Sequence, residues 1–203
     1  PHTASYVFLN QSGVLTTSPI WRDQAGSPQT TRKLRWGDVD NDGDLDLALG
    51  NEGQPNPIYP NIDGVLATTP FWSDQATDAT TDIVWGDADG DGDLDLAVAN
   101  YNQRNKLYRN DGLDAQGQPK LILAWESDEF DQTNSIAWGD ADGDGDLDLA
   151  VGNQGQANRV YFNEQGQLET GASWNANDAD VTVQMGWMDV EGDGDLDLSA
   201  ANK

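Results

Sequence analysis

Apolar and polar residues alternate in short runs along this chain, and the runs return in a fixed frame. In "LDLAVAN", Leu94, Leu96 and Val98 alternate with Asp95 and Ala97. A period of two puts large apolar groups on one face of a strand and small groups on the other. The run recurs as "LDLALGN" from Leu45, "LDLAVGN" from Leu147 and "LDLSAAN" from Leu196. Three further segments accompany it. One ends on a tryptophan, as in "TDIVW" (Thr81 to Trp85). One surrounds Phe8, Tyr59, Tyr108 or Tyr161, and one surrounds Trp21, Trp72, Trp125 or Trp174. Turns rich in Asn, Gly and Asp follow the tyrosine segment. No stretch sustains a period near 3.6, so almost no helix is expected.

The frame is an internal repeat. "WGDVDNDGDLDLALGN" (Trp36 to Asn51), "WGDADGDGDLDLAVAN" (Trp85 to Asn100), "WGDADGDGDLDLAVGN" (Trp138 to Asn153) and "WMDVEGDGDLDLSAAN" (Trp187 to Asn202) align without gaps. Four short strands in each unit of about 50 residues predict an all-β fold, a β-propeller of four-stranded blades. A β-sandwich has no need of so regular a unit. The chain starts with the third and fourth strands of a unit and ends with the first and second of another. One domain over 1–203 is expected, with blades at about 31–75, 81–127 and 133–176. A composite blade would join 182–203 to 1–24 and close a four-bladed ring without exposed strand edges. Two alternatives stand beside it: half of an eight-bladed ring made by a homodimer, or a piece of a seven-bladed propeller. Pro1-His2 resembles Pro55-Asn56 within a hairpin loop, which favours the last.

Composition narrows the partners. The chain has 203 residues, 36 acidic against 10 basic, and a formal net charge of -26. Such a surface repels nucleic acid and anionic membranes. Eight Trp, five Tyr and four Phe argue against a disordered acidic chain. There is no Cys and hence no disulfide. No apolar run approaches the ~20 residues of a membrane span. No signal peptide is visible, and the start at Pro1 reads as a trimmed or mature chain.

The acidic residues are concentrated where the units align. Asp87, Asp89, Asp91 and Asp95 stand at positions 1, 3, 5 and 9 of a loop with Gly92 at position 6. Hard cations such as calcium take six to eight oxygen ligands at about 2.3–2.6 Å. A tightly curved loop delivers alternate carboxylates to one centre, and glycine permits the curve. Asp93, at position 7, would offer its backbone carbonyl. The same frame gives Asp38, Asp40, Asp42, Asp44 and Asp46 in the first unit and Asp140, Asp142, Asp144, Asp146 and Asp148 in the third. The fourth has Asp189, Glu191, Asp193, Asp195 and Asp197; its longer Glu191, and Met188 in place of glycine, predict a different, weaker site. The first half resembles an EF-hand loop, but position 12 is Val98 in a strand, so Asp95 must bring the last carboxylate. Oxygen-only ligands favour calcium or magnesium over zinc or copper. The crowded cage favours calcium, about one per repeat and four in total.

These loops, with the preceding Trp-Gly-Asp and the following Leu-Asp-Leu, make the chain resemble the FG-GAP/VCBS type of repeat. Such repeats occur in integrin α-subunit propellers and in many secreted bacterial proteins. The Phe-Gly and Gly-Ala-Pro signatures of integrin repeats are absent, so the bacterial VCBS type is closer. The resemblance covers nearly the whole chain and implies calcium at the aspartates named above. It also implies a propeller, usually of seven blades, and an extracellular, secreted or cell-surface setting with a role in adhesion, sugar binding or recognition.

Three functions follow as expectations. The first is a calcium-stabilised extracellular recognition or adhesion module, lectin-like or protein-binding. Its glycan contacts would come from Gln54, Asn56, Gln103, Asn105, Gln156 and Asn158, whose amides both donate and accept; the same amides can simply satisfy turn backbone. The second is a structural or assembly domain of a larger secreted protein. The third, a glycoside hydrolase, finds little support. Glu126, Asp128 and Glu129 lie in polar turns without an apolar setting, the sole histidine is His2, and no thiol is present.

Overall fold

The computed structural model describes residues 4–23 and 29–203, and His2 lies outside them. Every regular element among the described residues is a strand. The first four are short: β1 (Tyr6–Val7), β2 (Asn10–Gln11), β3 (Val14–Leu15) and β4 (Trp21–Arg22). The first full blade contains β5 (Thr31–Gly37), β6 (Asp46–Asn51), β7 (Pro57–Tyr59) and β10 (Trp72–Ser73), with a small ribbon of β8 (Asn61–Ile62) and β9 (Val65–Leu66) beside it. The second is β11 (Thr80–Gly86), β12 (Asp95–Asn100), β13 (Lys106–Leu113) and β14 (Pro119–Glu126). The third is β15 (Thr133–Gly139), β16 (Asp148–Asn153), β17 (Arg159–Tyr161) and β18 (Trp174–Asn175). A hairpin of β19 (Thr182–Met188) and β20 (Asp197–Asn202) ends the series. All pairings are antiparallel. The aspartate loop of each unit turns the chain between its first two strands, with Gly86 facing Asp95 and Gly139 facing Asp148 across the hairpin.

The alternation of large and small residues explains how blades stack. Leu96, Val98, Ile83 and Tyr108 of the second blade pack on Val39, Ala48 and Ile58 of the first. The opposite face of the second blade presents Ala97 and Ala99 to Leu149, Val151, Ile136 and Tyr161 of the third. Both faces of β12 are therefore covered, and all six of its residues are buried. Aromatics lock the outer strands in the same direction. The Trp72 ring meets Tyr108 edge-on at 5.1 Å, and Trp125 meets Tyr161 at 5.1 Å. Each indole N–H also donates across the joint, Trp72 to the Leu121 carbonyl at 3.2 Å and Trp125 to the Glu169 carbonyl at 2.8 Å. On the inner strands, buried Asp82 accepts from Arg35 of the first blade at 3.1 Å and from the Ile136 N–H of the third at 3.4 Å.

The N-terminal strands behave as the outer half of a blade in front of the first. Trp21 packs edge-on against Tyr59 at 5.0 Å and donates to the Ala67 carbonyl at 2.7 Å. The inner half of that blade is not assembled from the other end of the chain. Among the described residues β1 pairs with β4 alone and β20 with β19 alone. The composite blade expected from the sequence is thus two separate ribbons, and the strands form an arc of three full blades with a half-blade at each end. Exposure follows from this. Ser199, Ala200 and Ala201 are exposed on β20, whereas β6, β12 and β16 are buried throughout.

Removing one aromatic lock tests the stacking. Trp125→Ala deletes a buried indole, its hydrogen bond and its contact with Tyr161, and a loss of about 3–5 kcal/mol is expected. Urea unfolding followed by circular dichroism measures it; a change below about 1 kcal/mol, the scale of a surface substitution, would contradict this packing.

Candidate metal centres

Each aspartate loop is wound by its own carboxylates. At position 6 the glycine has a positive φ (Gly43 96°, Gly92 97°, Gly145 100°, Gly194 102°), a conformation other residues resist. Its N–H donates to the aspartate at position 1: Gly43 to Asp38 at 3.0 Å, Gly92 to Asp87 at 3.0 Å, Gly145 to Asp140 at 3.1 Å and Gly194 to Asp189 at 3.0 Å. Position 5 donates its N–H back to position 3, with Asp42 on Asp40 at 3.2 Å, Asp91 on Asp89 at 3.3 Å and Asp144 on Asp142 at 3.2 Å. The fourth loop departs here. Asp193 donates to Asp189 at 3.1 Å instead of to Glu191.

Position 9 anchors the loop to the sheet. Asp46, Asp95 and Asp148 are fully buried. One oxygen of each accepts the N–H of position 2, from Val39 at 3.2 Å, Ala88 at 2.8 Å and Ala141 at 2.7 Å. The other accepts, at 2.8 Å in each unit, the N–H of Asn61, Asn110 or Asn163 on the chain of the third strand. Burial, opposed by these amides and assisted by the neighbouring aspartates, pushes Asp46 and Asp95 up to about 6 and raises Asp148. Burial likewise raises Asp40 and Asp89. Asp197 keeps only the loop bond, from Val190 at 2.9 Å.

The carboxylates converge in three of the loops. Single oxygens of Asp38, Asp40 and Asp42, of Asp87, Asp89 and Asp95, and of Asp140, Asp142 and Asp148 lie within 4.8 Å of one another. Three oxygens within 4.8 Å of one another lie no more than about 2.8 Å from a common centre, at or just beyond the calcium distance of about 2.3–2.6 Å. A second observation fits a cation: Asp38 Oδ1 and Asp87 Oδ1 are buried with no hydrogen-bond partner. A buried carboxylate oxygen without a donor costs free energy unless a cation meets it. Among the described residues Asp189, Glu191, Asp193 and Asp197 form no such group. The position-7 aspartates use their side chains elsewhere: Asp44 accepts from the Gly64 N–H at 3.1 Å, Asp93 from the Asn41 amide at 2.6 Å and Asp146 from the Gln165 N–H at 2.7 Å. Beside the second loop, Arg109 approaches Asp89 at 3.5 Å while bonded to Asp111 at 2.8 Å.

The amides considered for ligand contact are used internally. Asn56, Asn105 and Asn158 accept the N–H of Asn51, Asn100 and Asn153 at 2.7, 2.9 and 2.9 Å. Gln103 accepts from the Ala79 N–H and donates to Asp78, and Gln156 accepts from the Gln132 N–H and donates to Asp131. Gln54 is half-buried. The acids weighed for hydrolysis also have partners. Glu129 accepts from Tyr161 at 2.8 Å, Asp128 from Thr170 at 3.1 Å, and Glu126 lies 3.9 Å from Lys106.

A feature the sequence does not announce lies at the opposite end of the inner strands. Arg32, Thr81, Asn134 and Val183, near the starts of the four first strands, line a recess of about 450 Å³ together with Glu52, Tyr101, Gln154 and Lys203. Arg32 pairs with Glu52, and the Tyr101 hydroxyl bonds Gln132 at 2.9 Å. Only alignment of the units reveals that these residues share one end of the arc.

An all-β arc of repeated four-stranded blades, with an aspartate loop inside each hairpin, defines a propeller-type repeat protein. The FG-GAP-like repeat family matches at residues 38–98, 87–151 and 140–199, and the chain belongs to it. No curated protein matches the chain. Among solved structures, a crystal structure of BBS1N in complex with ARL6DN, soaked with lead, is similar with a TM-score of 0.59 at 16% identity. That match covers 87% of this chain and 51% of the other. A mercury-soaked form of the same complex gives 0.53 at 13% identity, covering 85% and 47%. These likenesses show the fold alone, and the chain spans about half the length of the solved chains it matches.

The buried position-9 aspartates set a pH dependence. Their folded pKa lies above the unfolded value near 3.9, so the fold prefers the protonated form. The stability this gives is present at low pH and lost as pH rises through about 6. In chelator the melting temperature is expected to fall between pH 4.5 and 7, and thermal circular dichroism across that range checks it. A rise over that window would show that these groups do not control the metal-free protein.

Proposed function

We propose that this chain is a calcium-stabilised recognition module of an extracellular protein. FG-GAP-like repeat propellers are modules for protein interaction, and they are typically non-enzymatic. The convergence of Asp38, Asp40 and Asp42, and of the corresponding acids in the next two loops, carries the calcium reading. All donors are oxygens, the loops turn on glycine, and two buried oxygens await a partner. Calcium would relieve the repulsion among the loop acids and hold each inner hairpin closed. An extracellular setting supplies the millimolar calcium that weak, flexible sites need.

The recognised ligand is proposed to be a protein. The amides that would have read a sugar are occupied by backbone and neighbouring side chains. The recess around Arg32, Tyr101 and Asn134 offers instead a mixed polar and aromatic surface away from the metal loops. The neighbouring solved propeller was crystallised in a complex, which agrees with this use of the fold.

Calorimetric titration of chelator-treated protein tests the proposal. Three calcium ions are expected to bind, with the fourth loop weaker or silent, and Asp87→Asn should remove about one of them. One site at a hundredfold excess over its Kd adds about 2.7 kcal/mol. At about 2–4 °C per kcal/mol for a chain of this size, each occupied site should raise Tm by several degrees. The gain should shrink below pH 6 as protons compete. Absence of calcium heat and of any Tm shift would refute the metal reading. Calcium-dependent binding on a glycan array would overturn the choice of a protein ligand.

A further inference from the structure

The three joints between units share one tight step at the end of the first strand. A Cβ added to Gly37 would stand 2.8 Å from the Trp85 ring, one on Gly86 2.6 Å from Trp138, and one on Gly139 2.5 Å from Trp187. No real Cβ tolerates such contacts, so each tryptophan stacks on the preceding unit only because glycine lies beneath it. Trp36 holds the corresponding place in the first blade, and among the described residues no inner hairpin lies against it, so it is 40% exposed. Leu34 beside it is exposed as well, while its counterparts Ile83, Ile136 and Met185 are buried. The outer half of the missing blade is already docked there as β1 and β4. What the seat lacks is an inner hairpin.

The chain's own β19–β20 has that shape, but its glycine position is Met188. Met188 is exposed at that place, and by the geometry of the steps at Gly37, Gly86 and Gly139 a Cβ there would meet a tryptophan stacked upon it. A second departure falls on the same seam. In the interior units the N–H of Asn51, Asn100 or Asn153 donates to Asn56, Asn105 or Asn158. The N-terminal copy has Ser5 at that place, whose short hydroxyl bonds Thr31 at 3.3 Å. Both departures sit where β20 would meet β1, and the interior joints have neither.

We infer that the Trp36 face is a docking seat for an inner hairpin of the same repeat class that carries glycine at the step, and that Met188 bars this chain's own β19–β20, or that of a second copy, from filling it. Position 188 is thus a specificity determinant of blade assembly. The self-closed four-bladed ring and the eight-bladed dimer both require Trp36 over Met188, and the seat excludes both.

Oxidative footprinting read by peptide mass spectrometry, with molar mass from light scattering, tests this on the whole chain. In the unsubstituted 203-residue chain Trp36 should be modified several-fold faster than Trp85 or Trp138, at the mass of one chain. Met188→Gly supplies the missing glycine and serves as the probe. It should protect Trp36 several-fold, at single mass if the chain closes on itself and at double mass if two copies close together. Adding Trp36→Ala to that variant should abolish the double mass or, for a single-mass closure, the protection of Leu34. Equal protection of Trp36 and Trp85 in the unsubstituted chain would overturn the inference, as would unchanged Trp36 reactivity in folded Met188→Gly. Should Met188→Gly fail to fold, Gly86→Ala keeps the premise open to test. It should raise the reactivity of Trp138, and an unchanged rate would remove the steric argument.

Discussion

The structure depends on a carboxylate buried where water cannot reach it. Asp46, Asp95 and Asp148 each join three pieces of chain: the loop that precedes them, the strand they begin and the third strand of the blade. Two backbone amides per carboxylate offset much of the desolvation, but the pKa near 6 at Asp46 and Asp95 shows that the balance is incomplete. The other loop acids gather around this anchor because their own amide bonds wind the loop tightly. Repulsion among them is therefore a consequence of the winding. A cation placed among them supplies the compensation that backbone amides alone do not.

The second constraint is directional. The second strand of each full blade presents large side chains to the unit before it and alanine or glycine to the unit after it. Stacks built this way grow with one polarity, as repeat proteins do, and each unit depends on its neighbours for burial. The two ends of such an arc are unlike surfaces, one lined by Trp36 and Leu34, the other by the small residues of β20. The aromatic contacts obey the same polarity, since Trp21, Trp72 and Trp125 all reach forward to a tyrosine of the next unit.

Much of this was legible in the sequence because the repeat supplied four readings of one pattern. The aspartate frame and its glycine turn follow from spacing, and the structure winds the loops on those residues. The alternation in "LDLAVAN" foretold the strand and its two unlike faces. It could not tell that both faces would be buried, since that depends on neighbouring blades. The spacing assigns Asp93 and its counterparts a backbone carbonyl and leaves their side chains without a task, and only the fold reveals that these side chains hold adjacent hairpins. Asn105 and Gln103 look like surface readers of sugar for a similar reason. Amides are adaptable, and a sequence does not show which backbone groups need them. Joining the chain's own ends was one of three closures compatible with the order of strands, and strand order carries no information on how side chains fit at a seam.

Comparison among the units also separates the two ends of the inner strands. At the loop end, Asp or Gly recurs at almost every equivalent position, because each has a backbone amide or a tight turn to satisfy. At the recess end, the second residue of the first strand is Arg32, Thr81, Asn134 or Val183, and the residue after the second strand is Glu52, Tyr101, Gln154 or Lys203. No two in either set are alike. Two of these side chains still serve the fold, since the Thr81 hydroxyl donates to the Thr133 carbonyl at 2.7 Å and the Asn134 amide donates to the Thr182 carbonyl at 2.8 Å, each across a joint between units. Equivalent carbonyls are met there by a hydroxyl in one unit and an amide in the next, whereas the winding at the loop end admits little besides Asp and Gly. The two ends of the inner strands therefore differ in how tightly the fold dictates residue type, and a change at Thr81 or Asn134 also removes a bond between blades.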